Sequence, residues 1–217
     1  MNNNDINLEK FTSILGLNKE QIKNRNQFLL DFNKKGFPSK KIEDWKFNDL
    51  NKIISSKIPN LKFFNSLINK KKDKVEIIKN ISKDLLENNY IISSNGIIID
   101  VDLNYEDKNK FEIVREPTFL NTNINSSLNS LNLALYLDYI KLVVKENYKF
   151  NKPIIYINYT SSDIESTVIN QRFDIVMEKN SCMSILDFNL NKSNNNFYNI
   201  NNKFLLREGS VLKNYKI

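Results

Sequence analysis

From residue 140 onward the chain breaks into short runs of β-branched and aromatic residues separated by polar or charged turns. The runs fall at 140–144, 154–159, 168–169, 173–177, 183–188, 204–206 and 211–215. This texture constrains the fold more than any other feature, because each run has the length of a strand and is too short for a buried helix. Two phrases repeat across it. Met177, Glu178, Lys179, Asn180, Ser181 and Cys182, and then Leu206, Arg207, Glu208, Gly209, Ser210 and Val211, each set a charged turn with Asn or Gly before an apolar strand. Turn-then-strand recurrence at roughly 20–50 residues suggests stacked repeats, a solenoid or β-helix. An antiparallel sandwich gives similar runs, and periodicity alone leaves both open.

The first half has a different pattern. Asp5 or Asn7 can cap a helix carrying Leu8, Phe11, Ile14 and Leu15, stopped by Gly16. Asn18 followed by Gln21 reads as a capping box for a second helix, with Ile22, Phe28, Leu29 and Phe32 on its inner face. Gly36 and Pro38 stop it. Short helices follow over 48–58, 61–68 and 75–86, with the Lys-rich stretch 69–74 read as an exposed loop. Tyr90–Ser93 and 97–101 flank Asn95 and Gly96, the strongest short hairpin signal. Residues 102–125 read as loop with an irregular strand, and 126–137 as the last helix. The resulting domain reading is 1–86 helical, 87–137 hairpin, loop and connecting helix, and 138–217 the strand-rich core.

Composition excludes several chemistries. The chain has no His and a single cysteine, Cys182, so the commonest general base and any internal disulfide are both absent. Cys182 reads as a small buried hydrophobe, and Glu106 and Asp107 as polar-loop acids. Arg172 suits a salt bridge better than an anion site. No P-loop, dinucleotide fingerprint, nucleophile elbow or zinc spacing occurs, so neither catalytic, cofactor-binding nor metal residues are assigned. The net charge is +7, and residues 1–83 carry 18 Lys/Arg against 9 Asp/Glu. The excess is nearly all Lys in a chain that over-uses Lys, Asn and Ile, which reads as compositional bias rather than a nucleic-acid footprint. No apolar run reaches membrane-span length and no secretory signal opens the chain. These features place it in the cytoplasm or a plastid-type stroma, with no nucleic acid or membrane partner.

The most irregular string is residues 36–50: Gly36, Phe37, Pro38, Ser39, Lys40, Lys41, Ile42, Glu43, Asp44, Trp45, Lys46, Phe47, Asn48, Asp49 and Leu50. It holds the only Trp, between acidic Glu43 and Asp44 and basic Lys46, and a lone Trp among aromatics reads as an anchor between structural units. The string resembles a segment near the N-terminus of SufD-type iron–sulfur cluster assembly proteins, carried by Gly36, Pro38, Glu43, Asp44, Trp45, Lys46 and Leu50. Further phrases are similar to that family in the same order: Ser130 to Ala134, Lys152 to Tyr156, Arg172 with Ile175, and Leu212 to Ile217.

The resemblance implies an N-terminal helical subdomain followed by a right-handed parallel β-helix, truncated before its later rungs and its C-terminal helical region. It implies a non-enzymatic subunit of a SufB–SufC–SufD scaffold, with SufB-like and SufC-like (ATPase) partners. The SufC docking region is absent from this chain. The Fe–S cluster is then the product of the complex, not a cofactor bound here. Two other readings compete: a β-helix carbohydrate-active enzyme, which needs carboxylates clustered in a groove, and a basic nucleic-acid-binding module using residues 1–83.

Overall fold

The structure is a computed structural model describing residues 15–63, 70–115, 126–193 and 195–217. Helix α1 (Lys19–Lys35) starts where the capping pattern predicts. Gln21 N donates to Asn18 Oδ1 and Asn18 N to Gln21 Oε1, both at 2.9 Å. It ends at Gly36, whose φ of 68° lets its N–H turn back to Phe32 O at 2.6 Å. A 3-10 turn (Glu43–Trp45) leads to α2 (Leu50–Lys57), capped by Asp49. Helices α3 (Lys70–Asn80) and α4 (Lys83–Leu86) follow, and α5 (Ser127–Leu135) precedes the strand-rich half. The expected loop over 69–74 is therefore corrected from Lys70 onward to the first turns of α3. Tertiary contacts hold them: Asp73 is buried and accepts from Ser94 Oγ at 2.5 Å, and Ile77 is fully buried. The first expected helix and most of 61–68 and 116–125 lie outside the described residues.

Among the described residues there are nine strands, three before α5 and six after it: β1 (Asn89–Ser94), β2 (Ile97–Asp102), β3 (Phe111–Val114), β4 (Tyr139–Val144), β5 (Ile154–Thr160), β6 (Val168–Met177), β7 (Cys182–Asn191), β8 (Phe197–Leu206) and β9 (Val211–Lys216). They form two sheets, one ordered β2-β1-β5-β7-β9 and the other β3-β4-β6-β8. Each sheet opens with an antiparallel pair, β1 with β2 and β3 with β4. Every later pairing is parallel: β1 pairs with β5 across three intervening strands, and from β4 onward each strand pairs with the next but one, so β4 to β9 alternate between the sheets.

This overturns the expected architecture of a helical subdomain followed by a right-handed parallel β-helix: the fold is a mixed α/β structure of two sheets. Local turn chemistry makes the antiparallel part. Asn95 and Gly96 both have positive φ, 50° and 82°, and fold β2 straight back on β1. Nor do the helices form a unit of their own. Leu29 and Phe32 of α1 and Ile54 of α2 share one core with Leu131, Ala134 and Leu135 of α5 and with Val168 of β6. An amphipathic helix of this size needs such a partner to bury its stripe. Arg25 of α1 is buried and donates to Ala134 O (3.1 Å) and Tyr136 O (2.8 Å), so a cation closes the C-terminus of α5.

The main core lies between the sheets. Ile140, Leu142 and Val144 face it from β4, Phe173, Ile175 and Met177 from β6, and Ile154 and Tyr156 from β5. The alternate residues of β5, Ile155, Ile157 and Tyr159, pack on the other face with Ile77 of α3. Burial on both faces explains why β5 is a continuous apolar run rather than an alternating one. No helix among the described residues is long and apolar enough to cross a membrane.

Candidate interaction surfaces

Residues 36–50 form a hook between α1 and α2. Its base is fixed by Phe37 rather than by the tryptophan. The Phe37 ring is buried, edge-on to Phe32 (5.2 Å) and Phe197 (5.6 Å) and stacked on Phe63 (6.1 Å). Pro38 is buried beside it and its carbonyl accepts from Asn51 N at 3.1 Å. At the far end Leu50 packs, half-buried, on the same core. Between these points the chain is held away from the core. Trp45 is half-buried, Ile42 and both acids Glu43 and Asp44 are exposed, and Phe47 is 82% exposed. Lys46 Nζ pairs with Glu43 at 2.7 Å and lies 5.3 Å from the Phe47 ring centre. The expected anchoring is carried by Phe37 and Leu50, with Trp45 half-buried and Phe47 exposed. Apart from the Lys46 ammonium, the Phe47 ring faces solvent.

The buried polar groups serve structure. Gln171 bonds Ser93, Tyr156 and Asn158 between the sheets, and Asn158 donates to Asp187 Oδ1 at 2.7 Å. Burial raises the pKa of Asp187; Lys216 and the Asn158 bond act the other way. Burial likewise pushes up the Tyr156 phenol, so it stays a neutral donor and acceptor. Glu106, expected as a loop acid, is buried. Its carboxylate accepts from Asn89 Nδ2, Tyr148 OH and the backbone amides of Asn151 and Lys152 at 2.7 to 3.1 Å, tying two loops together. Arg172 pairs with Asp174 two residues along its own strand at 3.3 Å, where Tyr139 OH also donates at 3.0 Å.

A cleft of about 280 Å³ opens between β2 and β3, lined by Val101, Leu103, Asn104, Lys108, Phe111 and Ile113, with no carboxylate among them. Among the described residues, no cluster of three His, Cys, Asp or Glu stands ready for a metal. Cys182 is half-buried at the start of β7.

The second surface lies at the far end of the sheets, where three turns stack. Glu178 N donates to Val144 O and Arg207 N to Met177 O, both at 2.9 Å; Asn147 N donates to Lys179 O (2.9 Å) and Asn180 N to Glu208 O (3.0 Å). The register aligns Lys145, Glu178 and Arg207 in one column and Glu146, Lys179 and Glu208 in the next. A third column holds Asn147, Asn180 and Gly209, with φ of 58°, 56° and 68°. Signs alternate down both charged columns. Lys179 meets Glu208 at 3.0 Å and Arg207 meets Glu178 at 3.9 Å. The repeat read from the sequence covers the second and third turns and misses the first. Positive φ at Asn or Gly is the signal that aligns all three.

Beyond the third turn the apolar columns are uncovered. Phe204 continues Leu142 and Ile175 and is 40% exposed; Leu206 continues Val144 and Met177 and is 50% exposed. Val211 and Tyr215 of β9 are also exposed. Among the described residues no strand lies beyond β8 or β9. No family model matches the chain, and no curated protein matches it either.

Proposed function

We propose that the chain is a binding subunit of a larger assembly rather than an enzyme, and that the assembly is a SufD-like scaffold for iron–sulfur clusters. One observation carries the reading. The string that resembles SufD-type proteins is also a surface hook, with Phe37 buried at its base, Trp45 half-buried and Phe47 82% exposed. In this account the sheets and α5 supply a rigid base, the hook supplies a contact, and SufB-like and SufC-like partners supply cluster chemistry and ATP-driven motion. The cluster is made by the complex and is not held by this chain. The test is affinity recovery of the tagged protein from its own cells after mild cross-linking. The reading expects a SufB-like protein with the parent chain, alone or carrying a SufC-like protein with it, and its loss with Trp45→Ala/Phe47→Ser. Recovery of neither protein with the parent chain overturns it.

A further inference from the structure

We infer that the cleft between β2 and β3 binds a small apolar monocarboxylate, with its hydrocarbon on Val101, Leu103, Phe111 and Ile113 and its anionic head on Lys108. The site lies apart from the hook, and the inference stands independently of the iron–sulfur reading.

The topology opens the cleft. β2 is the outermost strand of one sheet and β3 of the other, so among the described residues no strand closes the gap between them. Inner-face side chains therefore meet solvent there. Leu103 belongs to the main core, and Val101, Phe111 and Ile113 pack against that core while staying partly open. Phe111 is held from behind, its ring edge-on to the buried Phe150 at 6.1 Å. The apolar wall is thus fixed before a ligand arrives, which keeps the ordering cost of binding low.

The loop over 103–110 supplies the polar rim, and its own acids are occupied. Glu106 turns inward and accepts from Asn89, Tyr148 and the amides of Asn151 and Lys152. Asp102 Oδ1 accepts from Asn104 N and Asp107 Oδ1 from Asn109 N, both at 2.9 Å. Lys108 stands exposed on the rim and makes no ion pair among the described residues. The lining therefore holds one cation, one side-chain amide at Asn104 and no carboxylate. An ammonium without a counter-charge beside an apolar wall favours an anion with a hydrocarbon body.

Size and charge narrow the ligand further. The volume of about 280 Å³ falls just under the roughly 300 Å³ at which pockets for drug-sized ligands begin, so the ligand is small. A single Lys with one amide matches a monoanion, whereas planar, bidentate recognition of phosphate groups is the work of Arg. The neighbouring chain leads away from the cleft. β3 ends at Val114, opposite Lys141 near the start of β4, while Phe111 at the cleft lies opposite Val144 at the end of β4.

The experiment titrates the full, isotope-labelled chain with octanoate and with octylammonium, which share a tail and differ in charge, and follows the amide resonances. Octanoate is expected to shift the amides of residues 101–104, 108 and 111–113 and to bind about tenfold tighter than octylammonium. Lys108→Met keeps the aliphatic stem and removes the charge, and is expected to weaken octanoate about tenfold. Lys108→Glu is expected to make octylammonium the tighter ligand. Circular dichroism checks that both variants fold, and the exposure of Lys108 favours that result. Equal affinity of the parent chain for the two ligands, no binding of octanoate, or shifts centred elsewhere on the chain overturns the proposal. So does an unchanged octanoate affinity in Lys108→Met, or an unreversed preference in Lys108→Glu.

Discussion

The two ends of the paired sheets are finished in opposite ways. At one end β2 and β3 fold back antiparallel on β1 and β4, carry Asp100, Asp102 and Glu112, and keep most of their residues half-buried. Lys74 of α3 bonds Asp100 at 2.7 Å and brings a helix over that edge. At the other end β8 and β9 continue the parallel order, and Phe204, Leu206, Val211 and Tyr215 stay open to solvent. Reversed strands, charge and a covering helix are the usual ways in which an edge is protected from further pairing. Among the described residues these features lie at the β2 and β3 end, and the β8 and β9 end leaves its apolar residues exposed.

That contrast is broken or sharpened by substitutions placed in equivalent positions. The largest difference is expected in the column Leu142, Ile175, Phe204. Ile175→Ala empties a fully buried site and should cost about 2–4 kcal/mol in denaturant unfolding. Phe204→Ala removes a larger side chain, yet should cost about 1 kcal/mol or less, because that ring is already 40% exposed. Equal losses would mean that the far end is as well packed as the middle. Glycines come next. A Cβ at Gly96 would sit 2.8 Å from Asn170 O at a φ of 82°, so Gly96→Ala should cost about 1–3 kcal/mol by thermal unfolding. A Cβ at Gly209 meets only the Asn180 side-chain amide, which can swing aside, and Gly209→Ala should cost about 1 kcal/mol.

A smaller effect reports on the junction between β7 and β9. Burial raises the pKa of Asp187 above its ordinary value. The unfolded chain therefore ionises this carboxyl first, and stability falls as pH rises from the ordinary carboxylate range through the raised value. Asp187→Asn keeps an acceptor for Asn158 and should remove that slope, gaining under about 1 kcal/mol at neutral pH. An unchanged slope would show that groups other than Asp187 carry it. The smallest effect belongs to the hook: Phe47→Ser should change stability by no more than about 0.5 kcal/mol, since the ring is 82% exposed. A large loss would show that Phe47 is part of the core rather than a contact.

Much of the local structure was legible because it rests on strong, short-range signals. The Asn18 and Gln21 cap, the stop at Gly36, the Asn95–Gly96 hairpin and helix α5 all stand where sequence chemistry puts them. The turn repeat was legible in two of its three copies. What failed needed tertiary information. Residues 198–202 fall outside the apolar runs, yet they lie in β8. Asn199 donates to Asn170 Oδ1 and to Leu128 O, and Asn132 of α5 donates to the carbonyls of Gln171 and Asn199. Amides that bond across a sheet satisfy one another, and no propensity scale carries that. The hook failed in a similar way. Sequence offered Trp45 as the anchor by size, whereas Phe37 directly follows Gly36, eight residues before Trp45, and Phe32, Phe63 and Phe197 meet it there. The mixed sheets were missed because parallel and antiparallel runs of this length look alike until their partners are known.

The direct test of the contrast between the ends is amide hydrogen exchange followed by mass spectrometry on the chain alone. The account predicts slow exchange in β1, β5 and β6 and in the hairpin at Asn95–Gly96, with fast exchange over residues 204–217. Equal protection at both ends would contradict it, because β8 and β9 would then already be covered.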